Sequence, residues 1–139
     1  MGPADPRRRV AVIGGRVLDA SALVGFALIE PYPQALVWTA VEAGMVLAVP
    51  ATALATAWAR TPATAHDALQ VLLDLPNTVV EALDTAMARS VGLRLGPRPE
   101  ALRAGHVVAC GSDRGWPIVS GDPASLRAID PQIEVDPLP

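Results

Sequence analysis

Lysine is absent from this sequence. All 11 positive side chains among its 139 residues are arginines, so no mechanism that relies on a lysine applies. Cysteine is nearly absent: Cys110 alone makes neither an internal disulfide nor a cysteine metal site, which excludes a disulfide scaffold and points to a reducing compartment. Aromatic residues are 4% of the chain, so the core has to be built from Ala, Val and Leu, with Trp38, Trp58 and Trp116 as its large fillers. Long hydrophobic runs are missing too. The longest uncharged stretch, Ala43 to Ala59, is about the minimum length of a membrane span, but Pro50 interrupts it and Thr52 and Thr56 dilute it; it reads as a buried strand followed by a helix. The apolar stretch after Arg7 to Arg9 is broken by Gly14, Gly15, Arg16 and Asp19 and so fails as a signal peptide. These absences predict a cytoplasmic protein with no membrane segment.

What is present fits one domain of ordinary size: 51% hydrophobic residues, 25 alanines and a mean hydropathy of +0.34. A net charge of -3 argues against a protein held on nucleic acid by bulk electrostatics. Residues Met1 to Arg9, rich in Pro and Arg, read as a disordered basic tail ahead of a domain over 10–139.

Along that domain, strand and helix patterns alternate. Val10 to Leu18 reads as the first strand. Ser21 caps a helix over Ala22 to Ile29 that Pro31 and Pro33 stop, and Gln34 to Ala43 is helical until Gly44. Met45 to Val49 is a buried strand and Ala51 to Arg60 the next helix; Ala65 to Leu75 is helical, Thr78 to Leu83 a β-branched strand and Thr85 to Leu95 a helix before Gly96-Pro97. Glu100 to Ser112 is a helix with Pro99 in its first turn, Trp116 to Ser120 a strand, Asp122-Pro123 opens a turn of helix, and Ile133 to Val135 adds an edge strand. Such alternation predicts an α/β fold, a parallel sheet of about five strands with helices on both faces.

In such a sheet, ligands bind beyond the carboxyl ends of the strands. Two acids stand there, Asp19 after the first strand and Asp122 after the Trp116 to Ser120 strand. Two carboxylates at one crevice suit a hard divalent cation, although an aspartate after a strand, taken alone, is more often a helix cap or turn former than a ligand.

The segments VLDASAL (Val17 to Leu23) and SGDPASL (Ser120 to Leu126), with VPATALATAWAR (Val49 to Arg60), VVEALD (Val79 to Asp84) and AGHVVACGSDRGWPIVSGD (Ala104 to Asp122) in order between them, resemble the PIN domain, the nuclease fold of many bacterial toxin-antitoxin toxins. The resemblance spans nearly the whole chain. It implies a Mg2+ or Mn2+ site that activates water to cut RNA, with Asp19 and Asp122 as catalytic metal ligands and Ser21 and Ser120 as their hydroxyl neighbours. For a toxin-like member it further implies a homodimer and an antitoxin protein that blocks the crevice.

The family's other acids are missing. Thr56 stands at the expected place of the second, and Ala104 or Gly105 at that of the third. Glu100, one helical turn before Ala104, is a candidate further ligand, but an acid in the first turn of a helix is also stabilised by the dipole alone. Thr56 offers a hydroxyl to a metal-bound water or bonds back to its own helix. His106 beside Val107 and Val108, and Cys110 one turn later, read as core residues rather than a general base or nucleophile. Arg103, Arg114 and Arg127 are either phosphate contacts or ordinary surface arginines.

Gly14-Gly15-Arg16 does not supply a dinucleotide-binding glycine motif, and the absence of lysine counts against receiver domains and haloacid-dehalogenase-like phosphatases. Two expectations remain. One is a metal-dependent endoribonuclease of toxin-antitoxin type, weakened by the lost acids. The other is a catalytically inactive PIN-like domain that binds protein or RNA.

Overall fold

Strand and helix propensities along the chain are realised in alternation. The computed structural model describes residues 14–139; the basic segment 1–9 and residues 10–13 of the expected first strand lie outside the described residues. Five strands are described: β1 (Gly15–Leu18), β2 (Val46–Pro50), β3 (Thr78–Glu81), β4 (Ile118–Ser120) and β5 (Val135–Pro137). Between them lie α1 (Ala20–Ala27), α2 (Pro31–Ala43), α3 (Ala51–Arg60), α4 (His66–Asp74), α5 (Thr85–Leu95), α6 (Leu102–Arg114) and α7 (Pro123–Ile129). Short 3-10 turns, Ala63–Ala65 and Pro99–Ala101, lead into α4 and α6.

The strands form one sheet in the order β3-β2-β1-β4-β5, with every pairing parallel. The chain steps from β1 to β3 in one direction, then returns over the sheet to β4 and on to β5. Right-handed crossovers therefore put α1 to α4 on one face and α5 to α7 on the other. The contacts agree: α1 packs with α2, α3 and α4, whereas α6 packs mainly with α5 and α7 and lies on β1, β2 and β4, also meeting α3, where His106 reaches Thr52. Helical cover on both faces explains the unbroken apolar runs of the central strands, where Val17, Leu18, Leu47, Ala48, Val49, Ile118 and Val119 are at most 1% exposed.

Several local expectations change. Pro31 does not end a helix but begins α2, as a proline in the first turn gives up an N–H that has no partner there anyway. The cap of α1 is Asp19 rather than Ser21, and the helix ends at Ala27. β4 begins at Ile118 rather than Trp116, and β5 lies two residues later than expected. Trp38 is not a core filler: it is 40% exposed, its indole N–H donating to Gln34 Oε1 at 3.0 Å. Trp58 and Trp116 are partly buried against the core, and Phe26 is its largest fully buried side chain. Among the described residues no single helix is long and apolar enough to cross a membrane.

Candidate functional site

β1 and β4 are hydrogen-bonded neighbours whose outgoing connections run in opposite directions, so the order of the sheet reverses between them. A crevice at such a switch point is where open α/β sheets place ligands. Asp19 leaves β1 there and caps α1, one carboxylate oxygen, Oδ1, accepting the Ala20 N–H at 2.7 Å. Its other oxygen, Oδ2, accepts from the Ser120 hydroxyl at 2.9 Å. The Ser120 hydroxyl oxygen in turn accepts the Asp122 N–H at 3.0 Å, so one serine at the end of β4 joins the two acids. Ser21 completes the seam: its hydroxyl oxygen accepts the Gly121 N–H at 2.9 Å.

Asp122 caps α7, accepting the Ser125 N–H at 3.3 Å and the Ser125 hydroxyl. These hydrogen bonds hold its carboxyl below the usual carboxylate range, and the nearby charge of Arg103 adds to the effect. Four of the sequence-predicted site residues, Asp19, Ser21, Ser120 and Asp122, are thus brought together.

The residue that decides the chemistry is Arg103, on the first turn of α6. Its guanidinium forms an ion pair and hydrogen bond with Asp19 Oδ1. Asp19 is 2% exposed, so its charge is neutralised inside the protein by an organic cation. By sequence alone Arg103 is only a surface or phosphate-contacting arginine. The one signal for its role is its place, immediately before Ala104, where the resemblance expects an acid.

The remaining expected ligands stand apart. The Thr56 hydroxyl donates to the Thr52 carbonyl at 3.0 Å within α3. Glu100 lies in the turn before α6, exposed, on the wall of a cavity of about 320 Å3 that Arg98, Arg103 and Ser125 also line. Among the described residues no group of three or more His, Cys, Asp or Glu side chains is placed to hold a metal. The donor set does not fit a resident Mg2+ or Mn2+: the Asp19 charge is already paired with the Arg103 guanidinium, and among the described residues no third acid stands beside Asp19 and Asp122.

His106 is fully buried in α6, with Nδ1 2.8 Å from the Thr52 hydroxyl and Nε2 without a hydrogen-bond partner among the described residues. Burial lowers its pKa, an effect the Glu81 charge and the Ala82 carbonyl oppose. Burial likewise pushes the Cys110 thiol up to about 12, so it packs as an inert small hydrophobe. Arg114 pairs with Glu81 and lies over the Trp116 ring at 4.8 Å, while Arg127 is exposed on α7.

No protein-family model matches the chain, and no curated protein matches it either.

Proposed function

We infer that this chain is a PIN-like domain that works by binding a protein partner and not by metal-dependent cleavage of RNA. The reading rests on the ion pair between Arg103 and buried Asp19. In the resemblance that VLDASAL and SGDPASL carry, Asp19 is the first metal ligand; here a guanidinium takes up its charge, and the places of two further acids hold Thr56 and Ala104 or Gly105. Charge supports protein over RNA as the partner. The net charge of the whole chain is -3.

Thermal melting of the full chain with and without Mn2+ or Mg2+ tests this, because any ion bound to the native state raises its melting temperature. Wild type is expected to show no rise and to leave single-stranded RNA uncut. A rise that disappears in Asp19→Ala, together with cleavage of RNA, would reverse the conclusion and restore the nuclease. Binding of RNA without cleavage would keep the domain non-catalytic and replace the protein partner with RNA.

A further inference from the structure

A second concavity, about 260 Å3 in volume, opens between α2 and the sheet and shares no residue with the Asp19 crevice. Its polar rim follows from the strand register. Leu18 is level with Val119 and Val119 with Asp136, so Arg16, two residues before Leu18, shares a sheet face with Asp136 across β4. Tyr32, Ala35 and Leu36, spaced to fall on one side of α2, form the opposite wall, and Met45 also lines the cavity. The lining is mainly apolar, with four polar residues on it, Arg16, Tyr32, Asp136 and Thr39, of which the first three lie together.

Those polar groups are only partly engaged. Arg16 Nε stands 3.7 Å from Asp136 Oδ2, beyond hydrogen-bond distance, and the Tyr32 hydroxyl donates to Asp136 Oδ1 over a long 3.4 Å. Arg16 Nη1 donates to the Gly15 carbonyl at 2.9 Å, and among the described residues its other guanidinium N–H groups and the remaining Asp136 lone pairs have no closer partner. About a third of each charged side chain is exposed, so both face the opening.

We propose that this cavity binds a free α-amino acid with a medium-sized apolar side chain, such as leucine or methionine. The ligand carboxylate lies on Arg16, its ammonium on Asp136 and the Tyr32 oxygen, and its side chain among Ala35, Leu36 and Met45. Two opposite charges held close but not hydrogen-bonded suit a ligand that carries both charges on one carbon. A simple carboxylate would gain Arg16 but face Asp136, and a simple amine would do the reverse. The volume lies below the roughly 300–1,000 Å3 of sites for larger ligands, which confines the occupant to a small molecule.

The test is thermal melting and calorimetric titration of the full chain with L-leucine and L-methionine, alongside isocaproate, which lacks the ammonium, and isoamylamine, which lacks the carboxylate. A saturable rise in melting temperature is expected with the amino acids and not with the single-charge analogues. Arg16→Gln should weaken leucine binding by about tenfold or more, since it removes a charge-assisted fork. Ala35→Trp, at an exposed position, should fill the cavity and abolish the response without unfolding the chain, and Asp19→Ala should leave the response intact. No response to either amino acid would overturn the proposal. So would an equal response to isocaproate, which would make this an anion site. Sedimentation showing a dimer that Ala35→Trp dissociates would also overturn it, since a second copy would then cover the cavity.

Discussion

At Arg103, one guanidinium balances a carboxylate that water cannot reach, so the two side chains are energetically unequal. Asp19 is 2% exposed, whereas 26% of the Arg103 side chain is exposed. Arg103→Ala leaves a buried charge unpaired; Asp19→Asn leaves a guanidinium that can turn to solvent. Breaking a fully buried pair costs about 3–5 kcal/mol, and with partial exposure Arg103→Ala should cost roughly 1–3 kcal/mol. Asp19→Asn keeps an acceptor for the Ala20 N–H and should cost less. Urea unfolding of both variants checks the order, and a loss in Asp19→Asn equal to or above that in Arg103→Ala would mean that Asp19's role as a cap outweighs its ion pair.

A second residue sets a pH dependence. Buried His106 has a lowered pKa in the folded state, so between that value and its unfolded value near 6.5 the unfolded chain binds more protons. Stability from this group is therefore full above about pH 6.5 and lost as pH falls through the folded pKa. The groups that face it, Thr52, Glu81 and Ala82, include one acid, whose charge opposes the shift without reversing it. Denaturant midpoints measured from about pH 7 to 5 should fall more steeply in wild type than in His106→Met. Equal slopes would show that His106 takes up its proton without unfolding.

Among the elements, α6 packs closely on the sheet. A Cβ on Gly111 would stand 2.9 Å from Ile118 Cγ1 and 3.3 Å from the Trp116 carbonyl, so this glycine lets α6 lie close against β4. Gly92 in α5 has nothing among the described residues within 4 Å of the same position. Alanine normally stabilises a helix interior by about 0.5–1 kcal/mol over glycine. Gly92→Ala should show that gain as a raised melting temperature. Gly111→Ala should instead lose about 1–3 kcal/mol, because backbone and a buried side chain have to move. A stabilised Gly111→Ala would mean that the contact between α6 and β4 is loose.

Elements with strong local punctuation are legible in the sequence. α3 runs from Ala51 to Arg60 between Pro50 and Pro62, and α5 from Thr85 to Leu95 before Gly96, as the sequence predicts; the structure adds Asp84 as the cap of α5. β5 departs from its expected place because its limits depend on pairing with β4, where Ile118 is level with Val135, and no local residue encodes that register. The site divides in the same way. Asp19, Ser120 and Asp122 stand out as polar residues at strand ends, whereas the pairing of Arg103 with Asp19 joins positions 84 residues apart and is set by how α6 crosses the sheet.

For the whole molecule, the strand order grades stability from the centre outward. β1 has a hydrogen-bonded neighbour on each side and helices on both faces, and β2 and β4 share that cover. β3 and β5 are edges. Val79 and Val80 on β3 are 39% and 46% exposed, and Pro137 ends β5 at the surface. Local opening free energy follows buried apolar contact and protected hydrogen bonds, so amides of the edge strands should open locally while those of the centre exchange only through global unfolding. Native-state hydrogen exchange should therefore find the slowest amides at Val17, Leu18, Leu47, Val49 and Val119, with β3 and β5 faster by at least about tenfold. The exposed valines of β3 leave that edge open to solvent, so Val80→Lys should not lower the melting temperature by more than a degree or two. If β3 instead exchanges as slowly as β1 at low protein concentration, and faster in the Val80→Lys variant, that edge is paired in solution and the sheet continues into a second molecule.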